Sequence, residues 1–288
     1  MKRLSSAIFR MLRAGPRHPG TRQSVNDMPS YRLRGNGRFH ARPSKKGAVA
    51  GVHKSIMNKD RDHIRYMFDA IAFRYDFVNR ALSLRRDVAW RKAMVTALPE
   101  GRDLRVLDLA TGTGDVTLAI RKARPCARVI GADVAREMLR LSQKKNAPSG
   151  SPGGGVVQAD AAVLCWRESA FDVVTVAFGV RNFTELDAGL REMHRVLRPG
   201  GTAIILEFSL PANGMLRAAY LLYFRHLLPR IAGLLSRQPD AYRYLNRSVE
   251  AFPYGQDFCD LLRAAGFENI AARPLTLGIA TLYTGRKG

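Results

Sequence analysis

The sequence predicts an α/β fold, a mostly parallel sheet of seven strands with helices on both faces. Three observations predict it. Short apolar runs recur along the chain, stretches of helical spacing alternate with them, and the runs are apolar at successive positions rather than at every second one. Strands buried on both faces have that composition, and both faces are covered when crossover helices are laid over a parallel sheet.

The elements follow in order. "HIRYMFDAIAFRYDFVNRAL" and "DVAWRKAMVTAL" have helical spacing and precede the first apolar run, "RVLDLA". Then come a helix in "GDVTLAIRKA", a strand in "RVIGADV", a helix in "AREMLRLSQKK" and a loop in "SGSPGGG". Strands follow in "GVVQAD" and "FDVVTVAFGV", a helix in "LDAGLREMHRVL" and a strand in "TAIILEFS". The last stretch, "GQDFCDLLRAAGFENI" with "AARPLTLGIATLYTGRK", reads as helix, strand, turn and strand, which gives the sheet an antiparallel edge.

At 288 residues and 46% hydrophobic content, one catalytic domain with an appendage is expected. The appendage is residues 1–56. They hold 13 Lys and Arg against the single acid Asp27, or +12 of a net +23, and lack a sustained apolar period. This leader reads in three ways: an organellar transit peptide, a basic arm for nucleic acid or anionic lipid, or an overlong start with the true beginning at Met57. Residues 57–288 form the expected domain, with cap elements at about 57–98 and 211–255.

Cys126, Cys165 and Cys259 lie far apart with no CxxC pair, so neither a zinc site nor a disulfide framework follows. No apolar run reaches the roughly 18 residues of a membrane span. "MLRAAYLLYFRHLLPRIAGLL", Met215 to Leu235, is apolar but broken by Arg217, Arg225, Arg230 and Pro229. It is expected to form a lid over the sheet, with a place in the membrane interface as the second reading.

The candidate site starts at "VLDLATGTGD". Ligands of doubly wound sheets bind outside the carboxyl ends of the strands, where the strand order reverses. Gly112 and Gly114 allow close approach of backbone to ligand, and Asp133 closes the next strand 21 positions after Gly112, suiting a carboxylate on ribose hydroxyls. Thr117 stands where a dinucleotide fingerprint wants a third glycine, which favours a nucleoside without pyrophosphate. Asp108, Asp133 and Asp160 are expected as an acidic rim, with Asp160 on the adenine amino group and Ala161 leaving room beside the ring. An acidic rim on a basic protein suits a cationic ligand such as the sulfonium of S-adenosylmethionine.

At these residues the chain resembles the UbiE/MenG family of quinone-ring C-methyltransferases, from about Asp60 to Lys287. "LDLATGTGD" and "HRVLRPGG" are shared by class I methyltransferases at large. "YDFVNRALSLRRDVAW", "FGVRNF", "YRYLNRSVEAFP" and the tail "LRAAGFENIAARPLTLGIATLYTGRK" carry the specific resemblance. It implies a Rossmann-like class I fold, S-adenosylmethionine as methyl donor, no metal and a prenylated quinol as acceptor. By position it puts Thr113 in the glycine loop against the cofactor, Asp133 on the ribose, and Asp160 with Ala161 beside the adenine. Ala177 stands where many relatives carry serine, and Asp87 where the ubiquinone-type branch often has histidine. Asp87 tilts the acceptor toward a naphthoquinol, with the benzoquinol open.

The resemblance also places Arg181 and Asn182 at the quinol, Arg181 holding the phenolate oxygen or a water and Asn182 fixing the ring. Tyr75, Asp76 and Asn79 begin the cap, with Asp76 a proton acceptor in prospect. The plain alternative for Arg181 is an ion pair with Glu185, four residues on. His194 is read as structural. Holding a ring carbon in line with a reactive methyl contributes about 7–11 kcal/mol through orientation, so alignment is the protein's main task. Rival readings are an RNA methyltransferase, a dehydrogenase and a basic lipid- or nucleic-acid-binding protein with a vestigial fold. The expected partners are a prenylated quinol and the membrane surface, with no specific nucleic acid and self-association open. The expected location is cytoplasmic at the inner face of the membrane, or the mitochondrial matrix if the leader is a transit peptide.

Overall fold

The computed structural model describes residues 65–70, 72, 80, 83, 85–146, 154–227 and 239–288. The expectations at residues 1–56 and at Tyr75, Asp76 and Asn79 lie outside the described residues, as does most of the "SGSPGGG" loop.

Seven strands form one sheet: β1 (Arg105–Leu109), β2 (Arg128–Asp133), β3 (Gly155–Gln158), β4 (Phe171–Ala177), β5 (Leu197–Phe208), β6 (Phe267–Leu275) and β7 (Ala280–Lys287). Their order is β3-β2-β1-β4-β5-β7-β6. β1 pairs in parallel with β2 on one side and β4 on the other, so the order reverses between β1 and β4. β7 is inserted between β5 and β6 and runs against both, which is the antiparallel pairing expected near this edge.

The helices are α1 (Arg86–Thr96), α2 (Asp115–Ala123), α3 (Arg136–Asn146), α4 (Leu186–Val196), α5 (Gly214–Leu222), α6 (Pro239–Ala251) and α7 (Gln256–Ala264). Four of β1's five residues and six of β4's seven are buried, in keeping with their continuous apolar runs. The two faces of the sheet hold separate cores. Leu107, Val174, Ile205, Leu190, Met193, Phe258 and Tyr283 belong to one. Trp90, Met94, Val106, Ile120, Val173, Ile204 and Leu282 belong to the other. Alternate residues of β1, β4 and β5 feed opposite cores because successive side chains of a strand point to opposite faces. His194 on α4 meets Phe267 edge-on at 5.2 Å, a packing position.

Of the segment Met215 to Leu235, expected as a lid, residues 228–235 lie outside the described residues, and the rest is α5 followed by a π-helical turn, Tyr223–Leu227. Phe224 packs on Val249 of α6 in a small core of its own with Tyr220, Tyr223 and Leu245. No residue of α5 is buried, and Met215 and Leu222 are largely exposed. Two of the interrupting arginines have protein partners: Arg217 Nε donates to the Pro211 carbonyl, and Arg225 pairs with Glu250 at 2.6 Å. Among the described residues no helix is long and apolar enough to cross a membrane.

Candidate functional site

The chain leaves β1 at Leu109 and re-enters helix at Asp115 through a loop with three left-handed residues, Ala110 (φ 50°), Gly112 (φ 57°) and Gly114 (φ 83°). Asp108 holds this loop from beneath. It is 1% exposed, and its Oδ1 accepts from Thr175 Oγ1 at 2.7 Å. Its Oδ2 accepts from Thr111 Oγ1 at 2.6 Å and Thr117 Oγ1 at 2.9 Å. Burial pushes this carboxyl up from its ordinary value while the three hydroxyls pull it down. Asp108 lines the same cleft as Asp133 and Asp160, as the sequence suggests, but its oxygens are already engaged by the protein. It ties the loop (Thr111), α2 (Thr117) and β4 (Thr175) together, and a buried carboxylate needs donors of this kind.

The two glycines differ in purpose. A Cβ on Gly112 would meet nothing within 4 Å, so the backbone there faces open space. A Cβ on Gly114 would collide with Ser142 and Asn146 of α3, so its missing side chain serves helix packing rather than approach to a ligand. From the end of β2, Asp133 Oδ2 accepts the Gly112 N–H at 2.8 Å and Oδ1 accepts the Ala135 N–H at 2.9 Å. Burial pushes this carboxyl from 3.8 up to about 6, against the pull of those N–H groups. After β3, Asp160 Oδ1 accepts the Ala162 N–H at 2.9 Å, bending the chain so that Asp160 and Ala161 reach the same space.

Gly112, Thr113, Asp133, Asp160 and Ala161 line one cleft at the β1/β4 reversal, with Ala177 beside them. Open backbone at Gly112 and two acids able to accept hydrogen bonds, one at the end of β2 and one after β3, are suited to a nucleoside with a cationic substituent. Among the described residues no group of His, Cys, Asp or Glu has the arrangement of a metal site.

The cleft also has a charged end that the sequence reading did not assemble. Asp115 accepts from Lys145 Nζ at 2.6 Å and lies 3.1 Å from Arg91, which also pairs with Asp87. Lys145 Nζ donates to Thr113 Oγ1 at 2.9 Å. Burial works to raise the Asp115 carboxyl, yet Lys145, Arg91 and Arg80 hold it below its ordinary range. Asp87 is buried in this network at the cleft wall, with Ser83 Oγ donating to it at 2.7 Å. No local pattern announces it, because Asp115 and Lys145 are 30 residues apart on two helices that pack side by side.

The opposite wall comes from the turn after β4. Phe178 (φ 56°) and Asn182 line the cleft, and Asn182 Oδ1 accepts from Tyr244 Oη of α6 at 3.1 Å. Burial pushes the Tyr244 phenol up to about 12, so it stays a donor at neutral pH. Arg181, between these two, is 4% exposed and absent from the lining. Its Nη1 donates to Glu207 Oε1 at 2.7 Å and to the Phe178 carbonyl at 2.5 Å. The ion-pair partner is therefore Glu207 of β5, not Glu185. Val180–Asn182 is a short 3-10 turn, so the four-residue spacing of an α-helix does not bring Glu185 round to Arg181.

Comparison with known proteins shows the family and the fold. Residues 55–287 match the family model described as the ubiE/COQ5 methyltransferase family. The chain is 45% identical over 231 residues to the ubiquinone/menaquinone biosynthesis C-methyltransferase UbiE of Geobacter sulfurreducens, covering 79% of this chain and 89% of that protein. It is 43% identical over 219 residues to the demethylmenaquinone methyltransferase of Thermus thermophilus, covering 76% and 99%. Among solved structures, a SAM-dependent methyltransferase from Thermotoga maritima, a possible histamine N-methyltransferase, superposes with a TM-score of 0.55. At 17% identity over 78% of this chain and 100% of that one, it shares the fold. With a family match over almost the whole chain after the leader, and relatives above 40% identical along most of their lengths, this protein belongs to the ubiE/COQ5 methyltransferase family.

Proposed function

We propose that this S-adenosylmethionine-dependent C-methyltransferase methylates the ring of a prenylated quinol, with demethylmenaquinol as the favoured acceptor and 2-polyprenyl-6-methoxybenzoquinol as the second. The observation that carries the reading is that the carboxylate of Asp133 and the amide of Asn182 open onto one cleft at the reversal of the sheet. The names of the relatives, UbiE and demethylmenaquinone methyltransferase, support the choice of acceptor.

In this reading Asp133 accepts from the ribose hydroxyls, and Asp160 with Ala161 receives the adenine. Gly112 gives the nucleoside room, and Thr113 contacts the cofactor on the side where Lys145 already engages its hydroxyl. Gly114 and Asp108 act one step back, by shaping the loop. The cofactor supplies an electrophilic methyl group on a sulfonium. Across the cleft, Asn182 fixes the acceptor ring by hydrogen bonds while Tyr244 fixes Asn182, and the ring of Phe178 closes the wall. A ring carbon next to an ionised hydroxyl is the nucleophile, and its displaced proton leaves after attack. By the family resemblance Asp76 is the candidate acceptor for that proton.

A polyprenyl acceptor resides in lipid. Exposed Met215 and Leu222 on α5 support peripheral contact with a membrane surface. The test is transfer of labelled methyl from S-adenosylmethionine to short-tail naphthoquinol, to the benzoquinol and to bulk RNA, side by side. Label in the naphthoquinol is expected. Label in RNA alone would discard the quinol reading.

A further inference from the structure

Phe178 carries a left-handed backbone (φ 56°), a conformation that costs a side-chain-bearing residue free energy and persists only where the surroundings over-determine it. Its surroundings do so. The Phe178 N–H donates to the Leu206 carbonyl at 2.7 Å, and its carbonyl accepts from Arg181 Nη1 at 2.5 Å. Arg181 is itself held by the next residue of β5, because Glu207 Oε1 accepts from Nη1 at 2.7 Å and Oε2 from the Arg181 N–H at 3.2 Å. Glu207 is wholly buried, and its Oε1 also accepts the Phe208 N–H at 2.9 Å. Pairing of Ala177 with Leu206 in the sheet sets these groups side by side.

Of the residues held this way, Phe178 and Asn182 line the candidate site, while Arg181 and Glu207 do not. The Phe178 ring packs on Phe208 at 4.6 Å and on Trp90 at 5.9 Å, and the Arg181 guanidinium lies 5.4 Å from the Phe208 ring centre. Asn182 continues the same turn, its N–H donating to the Gly179 carbonyl at 2.9 Å and its side chain tied to Tyr244. A buried ion pair is poor evidence of a device for stability, since well-packed apolar residues serve as well or better. Here the pair also fixes the residues on either side of Arg181.

We infer that Glu207 and Arg181 are a positioning pair for methyl transfer: Glu207 holds Arg181, and Arg181 holds Phe178 and Asn182 as a rigid wall for the acceptor ring. The inference rests on the reading of that wall as the acceptor side of the cleft. It gives Glu207 a part in the reaction without contact with the reacting atoms, and makes Arg181 act through its neighbours rather than as the cation on the phenolate. The step concerned is alignment, where small displacements cost large factors in rate.

Two variants test it. Glu207→Gln keeps size but replaces one accepting oxygen by a donor that opposes the Arg181 or Phe208 N–H. The double variant Arg181→Met with Glu207→Leu removes both charges together, so no bare charge is left to unfold the chain. The readouts are kcat and KM for short-tail quinol, cofactor affinity, and the emission of Trp90 in a Trp166→Phe background. Both variants are expected to lose at least tenfold in kcat, keep cofactor affinity within about twofold and shift the Trp90 spectrum. A folded double variant with the parent's kcat and Trp90 spectrum would overturn the inference. So would full activity and an unmoved Trp90 spectrum in Glu207→Gln, since the ion pair would then order nothing in the wall. If the parent chain methylates no quinol, the reading of the acceptor fails, and the Trp90 spectrum alone still decides whether the pair orders the wall.

Discussion

The backbone N–H of Gly112 donates to Asp133 Oδ2 at 2.8 Å, joining the loop after the first strand to the end of the second. The carboxylate proposed to hold the ribose is thus already fixed by the protein before any ligand binds. Its other oxygen takes the Ala135 N–H, so its orientation is set from both sides, and the remaining lone pairs are left for hydroxyl donors. A preorganised acceptor of this kind loses little entropy on binding.

Asp133→Ala removes this acceptor. Charge-assisted bonds contribute about 1.5–3 kcal/mol, so calorimetry on the folded variant should give cofactor binding weaker by about tenfold or more. Unchanged affinity would discard the ribose assignment.

The same carboxyl makes binding sensitive to pH. With its pKa raised to about 6 in the free site, Asp133 is protonated below that pH, and a protonated acid is a poor acceptor for hydroxyls and a poor neighbour for a cation. Cofactor affinity should therefore rise from about pH 5 to about pH 7 in the parent, and Asp133→Asn should flatten the rise. Stability runs the other way. The folded state holds this proton more tightly than the unfolded chain, so the contribution is present at low pH and is lost as pH rises from about 4 through about 6. A parent whose affinity is level across this range would refute the titration of Asp133 at the site.

Thr175→Val keeps the shape of a fully buried side chain and withdraws the hydroxyl that serves Asp108 Oδ1. Leaving a buried acceptor without its donor costs about 1–3 kcal/mol, to be read from denaturant unfolding. If stability is unchanged, Asp108 is not the peg beneath the loop.

For the membrane, a chain beginning at Met57 should turn over short-tail quinol at the full-length rate and bind anionic vesicles less tightly at low salt. The +12 of residues 1–56 would account for the difference, since exposed charges are screened beyond about 8 Å at physiological ionic strength. Leu222→Asp in that shortened chain should weaken vesicle binding further, because Leu222 is exposed on α5. Loss of turnover on truncation would place the leader within the catalytic fold.

The sequence by itself determined the strands, because an apolar run such as "FDVVTVA" carries its burial in its own composition. It likewise determined the loop of Gly112 and the spacing to Asp133, since both depend on a strand ending and a chain reversing, which are local events. It also carried the family, through blocks such as "FGVRNF" and "YRYLNRSVEAFP". Only the tertiary structure decided what the acids and arginines do. Asp108 and Asp133 look alike at the ends of apolar runs and both reach the cleft, yet one is held by three threonine hydroxyls, the farthest 67 residues away, and the other by the backbone N–H groups of Gly112 and Ala135. Arg181 has Glu185 four residues on, but strand pairing sets Glu207 beside it from 26 residues away. Lys145 meets Asp115 only because α2 and α3 pack together. The physical reason is one of range. Hydrophobic period and turn chemistry act over a few residues and are written where they act, whereas the partner of a buried charge is whichever group the register of the sheet and the packing of the helices bring within about 3 Å.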